Sequence, residues 1–302
     1  GAFPIKDGSY PANNANDLYN QMTTTYSGAR QISDVESVLT GFTGGSEYEA
    51  IENARLLDPN SEYIYDKQLG YLSLNMSLQE GQMLAVAFEY EYSDASGKRT
   101  GRVGEFSDSN PTNPSNCLYV KLLRGTNMSP PMKYWDLMMK NIYSLGAYSV
   151  QKEKFRLDVM YQSDTTGTYI NYLPEARTDT LSRQIWIRLM GADRLNAQNE
   201  SHPDGYFDFV EGYTVQASTG RVIFPTIEPF GSSLKEKLEK VVSPAIADKY
   251  VFQELYDTTQ TAARQIAEKN KFIMRGEYKA SSASEIQLGA SNVARGSVRV
   301  TA

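Results

Sequence analysis

The chain has 302 residues, 30 Lys and Arg against 36 Asp and Glu, a net charge of −6, and 40% hydrophobic residues. That hydrophobic share is enough to bury a core, which excludes a disordered chain, and an acidic balance without any block of Lys and Arg excludes a nucleic-acid binder. A single cysteine, Cys117, excludes a disulfide framework and a multi-cysteine metal site; its run, "NCLYVKLL", is strand-like, and a buried, inert thiol is expected there.

Residues 1–31 are polar and read as a lead-in, with one short helix starting near Asn16 and a second over 32–39, Ser33 as its N-cap. A first β-hairpin module is expected over 32–106. Tyr63 and Tyr65, then Leu72 and Leu74, alternate around Gly70, which can take the left-handed conformation that a hairpin loop needs. "MLAVAFEYEY" at 83–92 reads as one half-buried strand, with Leu84, Val86, Phe88, Tyr90 and Tyr92 on one face and Ala85, Ala87, Glu89 and Glu91 on the other. "SDASGKRTG" reads as a loop, and 107–116 as a linker rich in Asn, Pro and Ser.

The stretch 117–175 reads as a strand–helix–strand module. "CLYVKLL" is its first strand. "PPMKYWDLMMKNIYSLG" starts with Pro, ends at Gly146, and spaces Trp135, Met138, Met139 and Ile142 as an apolar helical stripe, so a helix is expected near 132–145. "KFRLDVMYQ" returns to period two, with Phe155, Leu157, Val159 and Tyr161 on one face.

The stretch 180–302 reads as a second hairpin module. It holds an expected strand in "QIWIRLMG", the hairpin "GYTVQASTGRVIFP" around Gly220, a short helix in "EPFGSSLKEKL", the longest helix over 250–269, and three closing strands in "KFIMRGEYKA", "SEIQLGA" and "GSVRVTA". The hairpins at 62–75 and 212–225 share a pattern, and each leads to a strand containing Glu-Tyr. Repeated small β modules suggest a scaffold more than a single catalytic cup. The expected class is α+β, mainly antiparallel sheet modules with repeated hairpins and a few packed helices. The strand-like finish is that of a segment cut from a longer polypeptide.

Chemistry-bearing motifs are sparse. His202, the only histidine, lies in "NESHPDG" and reads as a surface loop residue; no G-x-S-x-G and no HExxH is present. Asp193, Asn196, Asn199, Asp204 and Asp208 place oxygen ligands of the kind calcium prefers in one loop. Their spacing is not that of an EF-hand, and the competing reading is a loop of Asx-turns closed by "PDG". No cofactor is otherwise expected. Glu89 and Glu91 are expected to face solvent rather than form an acid–base pair. The 21 tyrosines fit sheet faces and core, or else a surface for extended polypeptides or carbohydrate. "MLAVAFEYEY" also has the alternation of a transmembrane β-strand, but the other strands are short and separated by polar loops, so a soluble segment is expected.

A set of longer stretches in order adds to this: "ARLLDPNSEYIYDKQLGYLSLN", "LAVAFEYEY…GRVGEFS", "WDLMMKNIYSL", "PDGYFDFVEGYTVQASTGRVIFPTIEPFG", "YVFQELYDTTQTAARQ" and "SEIQLGASNVARGSVRVTA". Together, over about residues 32–302, they resemble the SprA/Sov family of very large outer-membrane proteins of Bacteroidetes. The resemblance implies an internal fragment of the type IX secretion translocon, required for protein transport and, in gliding species, for motility. It implies no enzyme activity and no catalytic residues. The implied partners are secreted cargo, a small outer-membrane barrel protein and a periplasmic plug. The implied place is the outer membrane, with this segment periplasmic or exposed at the cell surface. It also implies that hairpins of the tyrosine–glycine type recur along the full chain.

Overall fold

A computed structural model describes residues 5–6, 10–11, 14–59, 61–94, 97–107, 116–176 and 184–280, with the backbone alone for those before 19 and for 94 and 280. The class is α+β, made of small antiparallel sheets and short helices. Two compact units meet in sequence between Met139 and Lys140, a cut that falls inside the stretch 117–175.

In the first unit, β1 (Ile5–Lys6) pairs antiparallel with β2 (Tyr10–Pro11), and α1 spans Asn14–Thr24. Two 3-10 turns, Ser27–Arg30 and Ile32–Asp34, lead into the single turn α2 (Val35–Val38). The lead-in is therefore partly built into a small core: Ala29, Val35 and Leu39 are buried, with Met22, Tyr26, Val38, Phe42 and Tyr48 packed on them. Ser33 is not a cap. It lies inside the second 3-10 turn, and its hydroxyl donates to Asp34 Oδ1 at 2.9 Å. The tighter turn shifts the helix start one residue along, to an N-cap at Asp34 that uses no side-chain bond.

The first hairpin forms, but the face it buries carries Tyr71 and Ser73, while Tyr65 is exposed and Leu72 and Leu74 are half-buried. β3 (Tyr63–Asp66) pairs with β4 (Tyr71–Leu74), Tyr63 opposite Leu74 and Tyr65 opposite Leu72. Gly70 takes φ +68°, and Asp66 Oδ1 accepts the N–H groups of Gln68 and Leu69 at 2.9 Å each. The expected strand 83–92 breaks at Ala87 because its halves have different partners. β5 (Leu84–Val86) pairs with β8 (Lys121–Arg124), while β6 (Phe88–Asp94) pairs with β7 (Gly97–Val103). β7 occupies what reads as a loop. Its Gly, Lys, Arg and Thr residues lack apolar alternation, and Gly97 to Thr100 are exposed, so backbone pairing rather than burial holds it. Opposite Gly101 lies Tyr90; a β-carbon on that glycine would sit 2.2 Å from the ring. Phe88, Tyr90 and Tyr92 stack in a row at 6.2 and 5.9 Å, and Glu89 and Glu91 face solvent as expected.

An ion pair straps the lead-in to the β7–β8 connection. Arg30 Nη1 and Nη2 donate to Glu105 Oε2 and Oε1 at 2.6 and 2.8 Å, with the guanidinium 4.1 Å over the Tyr119 ring. Tyr119 N–H and Tyr19 O–H add donors to the same carboxylate at 3.0 and 3.1 Å. Burial acts to raise the Glu105 pKa, but the Arg30 guanidinium and these donors outweigh it and hold the carboxyl below its usual 4.5. A depressed folded pKa means that the unfolded chain takes up protons first on acidification. This contribution to stability is present above about pH 4.5 and is lost as pH falls through the folded value. We expect the urea midpoint of the first unit to drop between pH 5 and 3, and Glu105→Gln to remove part of that slope while lowering the neutral-pH midpoint. Cys117 is half-buried, donates to the Ala29 carbonyl at 3.5 Å, and has its thiol pKa pushed up by burial, which disfavours the reactive thiolate.

The helix expected near 132–145 is absent. A 3-10 turn covers Lys133–Leu137, and Leu137, Met138 and Met139 are exposed. The buried side chain is Tyr134 instead of Trp135, its hydroxyl donating to Asn127 O at 2.6 Å. Beyond it, reciprocal bonds between Asn141 and Phe224 (Nδ2 to O at 2.7 Å, N to O at 2.9 Å) draw the chain into β9 (Ile142–Ser144). Gly146, expected as a helix end, lies in the turn before β10 (Val150–Gln162).

The second unit continues with β11 (Tyr169–Ile170), α3 (Trp186–Leu189), β12 (Val215–Gln216), β13 (Arg221–Ile223), α4 (Ser232–Leu238), α5 (Pro244–Tyr250), α6 (Glu254–Asp257), α7 (Gln260–Gln265) and β14 (Phe272–Ala280). Its sheets have the orders β11-β10-β14 and β12-β13-β9, all antiparallel. Leu157, Val159 and Tyr161 are buried on one face of β10, as their period requires, and Phe155 packs beside them. "QIWIRLMG" is the helix α3, not a strand. Trp186, Ile187 and Leu189 are all buried, Arg188 alone is partly exposed, and so short an apolar run carries no period to tell helix from strand. The expected helix 250–269 is divided. Val251 and Phe252 are buried in extended backbone, where Phe252 N–H donates to Phe230 O at 2.8 Å, and Thr259 starts α7 by accepting Ala262 N–H. "SEIQLGA" and "GSVRVTA" lie outside the described residues. No helix among the described residues is long and apolar enough to cross a membrane.

Candidate functional site

The Asx-rich loop leaves α3 and returns beside β10. Its charged residues serve its own backbone. Asp193, 2% exposed, receives Arg188 Nε and Nη2 on Oδ2 at 3.1 and 2.9 Å, and the N–H groups of Asp204 and Gly205 on Oδ1 at 3.0 and 3.2 Å. Asp208 accepts the N–H groups of Arg194 and Leu195 at 2.9 Å. Burial raises the Asp208 pKa; those two N–H groups oppose the shift, and the charges of Asp193 and Asp204 add to it. Asn196 Oδ1 closes an Asx-turn with Gln198 N–H and Glu200 N–H at 2.9 Å each, and Asp204 Oδ1 accepts Tyr206 N–H at 3.0 Å. Asn199, at φ +64°, accepts Lys152 Nζ at 2.9 Å.

Thus each of the five candidate calcium ligands has a side-chain oxygen engaged by an N–H donor or a cation of the protein. Among the described residues no three His, Cys, Asp or Glu side chains gather as a metal ion needs. His202 is exposed. What the arrangement does chemically is fix a long connection with no regular structure of its own. Asp193→Ala strands Arg188 and two loop N–H groups, and should cost roughly 2–4 kcal/mol. Asp193→Asn, which keeps an acceptor, should cost less. Urea denaturation of both variants measures the difference.

The two hairpin glycines are placed alike and used differently. Gly70 has open space where a β-carbon would stand, whereas a β-carbon on Gly220, at φ +58°, would lie 1.8 Å from the Ala147 carbonyl oxygen. Leu145 N–H donates to Gly220 O at 2.8 Å, so the β12–β13 turn is seated against the β9–β10 turn.

Three tyrosines spend their hydroxyls internally, whereas the buried hydroxyl of Tyr161 has no hydrogen-bond partner among the described residues. Tyr143 and Tyr256 share a hydroxyl–hydroxyl bond of 2.9 Å, the Tyr256 hydroxyl accepts Phe230 N–H at 3.0 Å, and the Tyr250 hydroxyl donates to Glu175 at 2.5 Å. Burial pushes the Tyr143 phenol up to about 12 and raises Tyr256 further. Tyr65, Tyr148, Tyr213 and Tyr278 are about half-exposed. Compared with models of known protein families and with curated proteins, the chain matches none.

Two polar hubs have no local sequence signature: Arg30–Glu105, and Glu228 with Lys140, Ser232 and Gln253. Ser232 apart, which is four residues from Glu228, their partners are 25 to 88 residues apart in sequence, a separation at which no motif spacing operates.

Proposed function

We propose that this chain is a structural and protein-interaction segment of an outer-membrane protein-conducting translocon for type IX secretion and gliding motility, acting through shape and contact with cargo and neighbouring components. The observation that carries the reading is the ordered set of stretches from Ala54 to Ala302 that resemble the SprA/Sov family. The use of polar groups supports it: the acidic loop, the hydroxyls of Tyr143, Tyr250 and Tyr256 and both polar hubs are engaged in holding backbone and side chains in place. In this reading the segment makes and breaks no bonds and takes no cofactor; a calcium ion in the Asp193–Asp208 loop would be structural.

In cells carrying the full-length protein, deletion of the segment should abolish secretion of type IX cargo while the outer membrane stays intact. Added protease should cut the segment either in intact cells, if it is at the surface, or only after permeabilisation, if it is periplasmic. Normal secretion without the segment would refute the reading. So would turnover of a small molecule by the purified chain that one point substitution abolishes. Specific retention on immobilised glycans, lost on replacing Tyr148 and Tyr213, would favour a carbohydrate-binding surface module instead.

A further inference from the structure

The outer edge of β14 has an orientation that the hydrogen bonds of β10 define. Leu157 O accepts Phe207 N–H at 2.9 Å, on the side of β10 away from β14. Leu157 stands opposite Gly276, which makes this a non-hydrogen-bonded pair and turns the N–H and C=O of Gly276 away from β10. By the period of two, Met274 and Tyr278 also turn their backbone groups outward, while Arg275 and Glu277 bond to β10. Among the described residues no strand lies along that outer side. Arg275 to Lys279 are exposed, and Tyr278 is 48% exposed.

An edge that the described residues leave open is a template for another strand. We propose that its occupant is the same edge of a second copy of this chain, antiparallel and centred on Gly276. That register sets Arg275 opposite Glu277 of the second copy, and Glu277 opposite its Arg275, so both charges are matched twice by symmetry. Met274 then faces Tyr278, extending the apolar face, and the two Gly276 residues meet without side chains at the axis. Centring the pair on residue 275 or 277 sets like charges face to face, so charge disfavours those two registers. The inference does not depend on the secretion reading.

Charge variants of the full chain test it in sedimentation velocity. The wild type should dimerise with rising concentration. Arg275→Glu and Glu277→Arg should each weaken the dimer roughly tenfold or more, and mixing R275E with E277R should restore a heterodimer, since every facing pair is again opposite in charge. Circular dichroism of each variant checks that it is folded. Independently, in a Cys117→Ser background, Arg275→Cys mixed with Glu277→Cys should oxidise to a linked pair faster than either alone, because facing α-carbons about 4.5 Å apart suit a disulfide. A wild type that stays monomeric, a dimer indifferent to both charge reversals, or a mixture that fails to associate overturns the proposal; should either charge variant misfold, the disulfide yields decide.

Discussion

Gly220→Ala should unfold most of the second unit, while Gly70→Ala should leave the first folded. Both glycines close a hairpin in the left-handed region, at φ +58° and +68°. An L-residue there costs roughly 1–2 kcal/mol, and that is the whole expected penalty at Gly70, where a β-carbon meets nothing within 4 Å. At Gly220 the same atom would overlap a backbone carbonyl, at 1.8 Å from Ala147 O and 2.6 Å from its carbon. Backbone cannot rotate away as a side-chain tip can. The turn must separate from residues 145–149, which breaks the Leu145–Gly220 bond and pulls β13 from β9. Val222 and Phe224, both fully buried, sit on that strand and its continuation. We expect a loss above about 4 kcal/mol, in the range reserved for core or backbone disruption. Urea titrations of the two variants followed by far-UV circular dichroism measure the contrast. Equal losses at the two positions would show that the hairpins are seated alike after all.

Trp186→Ala should be the most damaging large-to-small change in the core. Trp186 is fully buried at the centre of an aromatic cluster, with ring centroids 5.0 Å from Tyr250, 5.4 Å from Phe272 and 5.8 Å from Tyr161. These three come from a helix and two strands far apart in sequence, so the indole ties α5, β10 and β14 to α3. Truncation removes the transfer energy of the ring and leaves a cavity that rigid neighbours cannot fill, at a cost of roughly 3–5 kcal/mol. Against a typical total of about 5–15 kcal/mol, the variant would be marginal or unfolded at room temperature. Trp186→Phe keeps part of the ring and should lose clearly less. Near-UV circular dichroism and urea midpoints of both variants test this. A change below about 1 kcal/mol for the alanine variant would mean that the cluster contributes little.

Unlike the face that β4 buries, Tyr71 and Ser73, the hairpin turns at Gly70 and Gly220, the inward face Leu157, Val159 and Tyr161, the short helix after Gly231, and the outward Glu89 and Glu91 all follow from local pattern. Each depends on a period or a backbone preference that operates within ten residues. The α+β class followed from the same signals. The errors have one kind of cause. Trp135, Met138 and Met139 space like a helix, but Asn141 is taken up by Phe224, and Tyr134 takes the buried place. "QIWIRLMG" has strand-like residues, yet Trp186, Ile187 and Leu189 are all buried with only Arg188 between them partly exposed, too short a run for its period to inform. Tyr250 to Gln265 is interrupted twice, at the buried Val251 and Phe252, where Phe252 bonds back to Phe230, and at Thr258 and Thr259, where the backbone is again extended. Likewise the oxygens of Asp193 to Asp208 were visible as a cluster, while the donors they accept became visible only with the loop folded.

By itself, then, the sequence determined where strands can alternate, where glycine must turn the chain, and that a core would form. The tertiary structure decided which strand meets which, where helices stop, and which carboxylates are already engaged. The physical reason is range: dihedral preference and side-chain period are local, whereas pairing, burial and hydrogen-bond satisfaction join residues such as Arg30 and Glu105, or Tyr143 and Tyr256, that only folding brings together.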